Sequence, residues 1–73
     1  MTLDEKLALL TETMEAEPDE LKPETVLESL DVWDSLAKLS LLAMFSTRFK
    51  REIEIDKVRA FATVNDILEE MHE

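Results

Sequence analysis

Glycine is absent from all 73 residues. A chain without glycine has no glycine-rich loop against which a phosphate can lie, so nucleotide-binding fingerprints built on one are excluded. Cysteine is absent too, which excludes disulfides and thiolate-held metals. The single histidine, His72, comes without imidazole or thiolate partners at ligand spacing, so no dedicated metal site is expected. No apolar stretch approaches the roughly 20 residues that a membrane span needs, so no membrane insertion is expected. The opening "MTLDEKLALL" is acidic ahead of its apolar residues and does not read as a secretory signal. Residues 1–73 are expected to form one small, monomeric, cytoplasmic domain. A domain this size buries only about 60% of the surface its unfolded chain exposes. That leaves little core for a deep, dry active site.

Basic residues are the other scarcity. The chain carries 18 acids against 8 lysines and arginines, a net charge of -10. Residues 1–35 hold eleven acids and two lysines, net -9; residues 36–73 hold seven acids and six bases, net -1. The first half repels nucleic acid, whose phosphates need a basic footprint, and favours basic protein partners. The apolar fraction of 45% is that of a globular protein and argues against disorder.

The pattern is all-α. Thr2-Leu3-Asp4-Glu5 fits a capping box, and Leu3, Leu7, Leu10 and Met14 follow at helical spacing, predicting a first helix over about residues 3–15. Pro18 and Pro23 interrupt the long loop that follows. Within that loop Pro23 is suited to the first turn of a short helix, with Val26, Leu27 and Leu30 pinned to the core. A second helix is predicted over about residues 35–50, with Leu41, Leu42, Phe45 and Phe49 as its core stripe. Leu36, Leu39 and Ala43 form another apolar strip on it, a face suited to a partner. Ile53 and Ile55 alternate with acids but have no second strand to pair with, so they read as an extended connection. Asp56 is expected to cap a short third helix running through Phe61. Thr63-Val64-Asn65-Asp66 resembles a capping box with Asp in the Glu place, opening a last helix with Val64, Ile67, Leu68 and Met71. The expectation is a four-helix bundle, three helices longer and one short, with a long loop between helices one and two.

Chemistry concentrates at Ser35, in "VWDSLAKLS". Asp34 and Ser35 are both good helix caps, and a cap alone would account for either. A nucleophilic serine needs a general base, and His72 stands in the penultimate position of the chain. No glycine elbow surrounds Ser35. No catalytic residue is therefore assigned, and the chain is not read as an enzyme. A modified serine is the remaining use. A phosphate on a hydroxyl at a helix N-terminus is stabilised by unsatisfied N–H groups and the helix dipole. Asp34 is placed to help hold the metal that a modifying enzyme brings, and Leu36, Leu39 and Ala43 give that enzyme an apolar grip.

The chain resembles the acyl carrier proteins. The likeness rests on Asp34-Ser35-Leu36, the Pro-Glu of "KPETVLESL" ahead of it, the apolar second helix ending in "FSTRF", the "IEI" connection, and "FATVNDIL" leading the last helix. The resemblance implies that a separate phosphopantetheinyl transferase attaches 4'-phosphopantetheine from coenzyme A to Ser35, with Asp34 as its acidic neighbour. It implies acyl cargo held as a thioester on that arm and passed among loading and transfer enzymes, in fatty acid biosynthesis, polyketide-like or other acyl transfer. Partner docking is expected from Trp33, Leu36, Leu39 and Ala43, with Glu28 and Asp31 from the preceding loop. A cavity for part of an acyl chain would be lined by Leu41, Phe45, Ile53, Phe61 and Leu68, residues that also read as ordinary core.

The chain departs from the family pattern in two places. Val32 stands three residues before the serine, where the family often has glycine. Residues 35–50 contain no acid but do contain Lys38, Arg48 and Lys50, where carriers of fatty acid synthesis usually have an acidic docking helix. Both point to a specialised carrier. Two alternatives stay open: an unmodified acidic helical adaptor with the same fold, and a carrier for an amino acid or aryl group.

Overall fold

The computed structural model describes residues 1–72 and contains four α-helices: α1 (Leu3–Met14), α2 (Ser35–Arg48), α3 (Ile55–Ala60) and α4 (Val64–Glu70). Each of the two capping boxes forms as the sequence predicts. Thr2 accepts the Glu5 backbone N–H at 3.2 Å while its own N–H donates to the Glu5 carboxylate at 2.9 Å. Thr63 and Asp66 do the same at the start of α4, and the Asp66 carboxylate also accepts the Ala62 N–H. The shorter Asp side chain therefore closes the box as Glu would.

α2 is the central element, packed on α1 and α3, and α1 also meets α4. Its buried residues are Ala37, Leu41, Met44 and Phe45, a spacing that follows the 3.6-residue period. Phe45 and Phe49 place their ring centroids 5.9 Å apart at 44°. Leu10, Leu27, Val58, Val64 and Ile67 complete a core that, among the described residues, holds no buried polar side chain. Leu42, expected in the core stripe, is only partly buried at its edge. The radius of gyration, 10.9 Å, matches the roughly 11 Å of a folded chain of this length.

With no glycine available, α1 and α2 close on other residues. Glu15 and Lys50 both take φ of 54°, the left-handed region that glycine enters most cheaply. Behind them, Ala16 N–H donates to Thr11 O at 2.9 Å and Arg51 N–H to Phe45 O at 3.1 Å. α2 thus stops at Arg48, two residues before the expected end.

The segment between α1 and α2 is ordered by hydrogen bonds rather than by a helix. Pro18 and Pro23 each occupy the second position of a turn, closed by Glu20 N–H to Glu17 O and Thr25 N–H to Lys22 O, both 3.0 Å. Pro23 does not open a helix; only a 3-10 turn forms, over Leu27–Ser29. Leu27 is fully buried and Leu30 partly so, but Val26 is 51% exposed. Val26 instead pairs its backbone with Thr63 in an antiparallel bridge. Leu27 N–H donates to Ala62 O, and Val64 and Asn65 donate to the Thr25 and Pro23 carbonyls. The loop thereby satisfies first-turn amides of α4 that no helical partner can reach. The "IEI" segment is extended through Glu54, as predicted, and Ile55 begins α3. The cap of α3 is Glu54 rather than Asp56, which lies in the first turn and pairs with Arg59 at 3.7 Å. Phe61 terminates α3 instead of extending it.

Candidate functional site

The site is built where the long loop enters α2. Trp33 N–H donates to Leu30 O and Asp34 N–H to Val32 O, so the chain turns sharply over residues 30–34. Val32 does this without a positive φ and packs its side chain, half-buried, against the core. Valine at this turn therefore carries no left-handed strain. Asp34 then extends (φ -117°, ψ -174°), and its carboxylate accepts the Ala37 N–H at 2.8 Å. Asp34 is the cap.

Ser35 follows as the first helical residue. It is exposed, and among the described residues its hydroxyl makes no hydrogen bond. Ser29, by contrast, donates its hydroxyl to Val26 O at 2.6 Å, and Ser40 is half-buried. Capping by Asp34 leaves the Ser35 hydroxyl available at the positive end of a 14-residue helix.

The two flanks of Ser35 differ in charge. On one side, a small cleft of about 150 Å³ between α2 and α3 is lined by Ser35, Lys38, Leu39, Ile55 and Arg59. Two bases thus share this cleft with Ser35. On the other side, a depression of about 440 Å³ between α1 and the loop includes Glu12, Glu15, Asp31 and Asp34. Sequence reading did not join Ile55 and Arg59 to Ser35, because only the packing of α3 on α2 brings them there.

Most of the expected docking residues are exposed. Leu36 and Leu39 are 68% and 57% exposed, and Ala43 is exposed on the same helix. Glu28 and Asp31 are exposed in the loop. Trp33 is half-buried against the core, with the Lys38 ammonium 5.4 Å from its ring centroid. It is both loop anchor and surface, and Lys38 shields part of it. Of the residues expected to line an acyl cavity, Leu41, Phe45, Phe61 and Leu68 are buried and Ile53 partly so, all within the packed core.

His72 is exposed and lies 3.5 Å from the Arg51 guanidinium, at the far end of α4. Arg51 also donates to the Glu70 carbonyl at 2.6 Å and pairs with its carboxylate at 3.0 Å, while Lys57 pairs with the same carboxylate at 3.3 Å. α4 has no base in its own last turn, so Arg51 and Lys57 supply the cations there from outside the helix. This cluster closes the fold.

No family model, curated protein or solved structure matches the chain. Among the described residues no helix is long and apolar enough to cross a membrane.

Proposed function

We propose that the chain is a discrete carrier protein that holds acyl intermediates as thioesters on a 4'-phosphopantetheine arm attached to Ser35, with no catalytic activity of its own. The observation that carries this reading is the division of labour at the start of α2. Asp34 makes the capping bond, so the Ser35 hydroxyl is exposed and uncommitted at a helix N-terminus.

The residues present suit a phosphodiester at this position. Lys38 and Arg59 line the cleft beside Ser35 and offset its negative charge. In the transfer reaction the Ser35 oxygen bonds to the phosphorus that carries the pantetheine moiety of coenzyme A. The bond from that phosphorus to the bridging oxygen breaks, and adenosine 3',5'-bisphosphate leaves. The hydroxyl proton passes to a base on the transferase. Asp34 uses one carboxylate oxygen for the cap and presents an exposed carboxylate to the transferase's magnesium. When bound, the arm supplies a thiol for thioester formation. The loading enzymes, the nature of the acyl group and a cytoplasmic location belong to the same proposal. The lack of acids along α2 favours a specialised pathway over general fatty acid synthesis.

Intact mass after incubation with coenzyme A, magnesium and a promiscuous phosphopantetheinyl transferase tests the reading. The wild-type chain should gain one phosphopantetheine and Ser35→Ala none. Modification that persists in Ser35→Ala, or maps to Ser29 or Ser40, overturns the assignment. A second reading, an unmodified adaptor binding partners through Leu36, Leu39 and Ala43, is favoured by the exposure of both leucines. Absence of any mass increase with several transferases would select it.

A further inference from the structure

A second surface runs along α1. There the loop after α1 folds back beside the helix and leaves a groove of about 700 Å³. Its floor is apolar: Leu7 and Ala8 from α1, Ala16 and Leu21 from the returning loop. Leu21 is 5% exposed and fixes the floor to the core, while Ala8 is open to solvent. Asp4, Glu12, Glu15 and Asp19 also line the groove, with Lys22 as the one base among its lining residues, so four acids against one base leave a net of -3. None of these four carboxylates joins an ion pair among the described residues; the pairs formed there join Arg51, Lys57 and Arg59 to Glu70 and Asp56.

We propose that this groove docks a basic amphipathic helix of a protein partner, with leucine-sized side chains on the apolar floor and lysines or arginines against the acids. Charge complementarity selects the occupant. An uncharged or acidic apolar segment would leave the four carboxylates unneutralised, whereas a basic one meets acids that have no cation of their own. The length also fits. α1 has 12 residues, about 18 Å at 1.5 Å per residue, which matches a partner helix of about three turns lying alongside it. The groove's apolar floor is distinct from the Leu36–Leu39 strip, while Glu12 and Glu15 also border the depression beside Ser35, and the proposal does not rest on the carrier reading.

The test is a ¹⁵N chemical-shift titration with a helical peptide of about 14 residues, leucines at i, i+3, i+4 and lysines elsewhere. Shifts should centre on Leu7, Ala8, Thr11, Ala16 and Leu21. The Asp4→Lys/Asp19→Lys double variant, at carboxylates that line this groove and not the depression beside Ser35, should weaken binding by about tenfold, since two attractive exposed pairs become repulsive. Glu52→Lys/Glu54→Lys carries the same change in net charge outside the groove and should alter affinity less than about twofold. Circular dichroism checks that both variants remain folded. Ser35→Ala should bind as wild type does, which separates this surface from the modification site. The proposal is overturned if the shifts centre on Leu36 and Leu39, if the two charge variants weaken binding equally, or if the leucine peptide with glutamates in place of lysines binds as well.

Discussion

Asp34 and Ser35 are interchangeable as caps on paper, and backbone geometry separates them. The extended residue is Asp34, and its carboxylate reaches Ala37 N–H; Ser35 is already helical. Asp34→Ala should therefore cost about 1 kcal/mol, the worth of a side-chain cap. Ser35→Ala should stay within about 0.5 kcal/mol, because alanine suits a first helical turn at least as well. Urea denaturation of the two variants decides this, and a reversed ranking would make Ser35 the cap and remove the basis for its free hydroxyl. Under the carrier proposal, Leu39→Ala should slow loading or transfer by the cognate enzyme more than Lys38→Ala does. A leucine buried in an interface is worth up to about 2 kcal/mol, against well under 1 kcal/mol for an exposed charge. Lys38 already lies over Trp33, which ties its charge to the surface. Equal transfer rates for the two variants would put the apolar contact elsewhere. The start of α2 at Asp34-Ser35 was legible in the sequence. The surroundings of Ser35 were not, because Arg59 comes to share a cleft with it only through the packing of α3 on α2.

Helix starts were more legible than helix ends, and glycine is the reason. Each capping box announces itself in four residues, and both form. A helix end is usually announced by glycine, and this chain has none. Glu15 and Lys50 take the left-handed positions instead, with no mark in the sequence, and α2 was read two residues too long. Where no side chain makes the cap, as at Glu54, the start of α3 was also misplaced onto Asp56. The loop's attachment to α4 uses backbone groups of residues 23–27 and 62–65, which carry no side-chain pattern at all. The left-handed positions yield a direct prediction. A non-glycine residue there costs about 1–2 kcal/mol, and glycine's freer unfolded chain takes back about 0.5–1 kcal/mol. Lys50→Gly should then stabilise the fold by about 0.5–1 kcal/mol, raising Tm by about 3–6 °C. Lys50→Ala removes the same charge while keeping the strained φ. Calorimetry showing equal stabilisation by both would assign the gain to charge and not to the backbone.

For the whole molecule, charge sets how stability responds to solution conditions. Eleven acids in the first 35 residues face only two lysines, while the ion pairs gather between Arg51 and Glu70. Self-repulsion in the first half should be screened by salt, whose Debye length falls to about 10 Å at 0.1 M, so Tm should rise as salt is added. Acid acts through different groups. Backbone hydrogen bonds from Ala62 and Thr63 hold the Asp66 carboxyl below its ordinary value of 3.8. Thr2 does the same to Glu5, ordinarily 4.5. At Glu70, partial desolvation pushes upward, but hydrogen bonds and charge from Lys57 and Arg51 outweigh it and lower the carboxyl below 4.5. A carboxyl that is more acidic folded than unfolded stabilises the fold above its unfolded value and loses that contribution as pH falls through its folded value. Stability from these three groups should therefore be flat from pH 7 to about 5.5, decline below about 4.5, and be lost as their folded values are passed. Asp66→Asn keeps the size of the side chain but cannot ionise; it should be less stable than wild type at pH 7, and the difference should shrink toward pH 3. Urea midpoints across that range measure it. A wild-type to Asp66→Asn gap that is unchanged at pH 3 would show that the capping box at α4 stabilises by shape alone, with no part played by its charge.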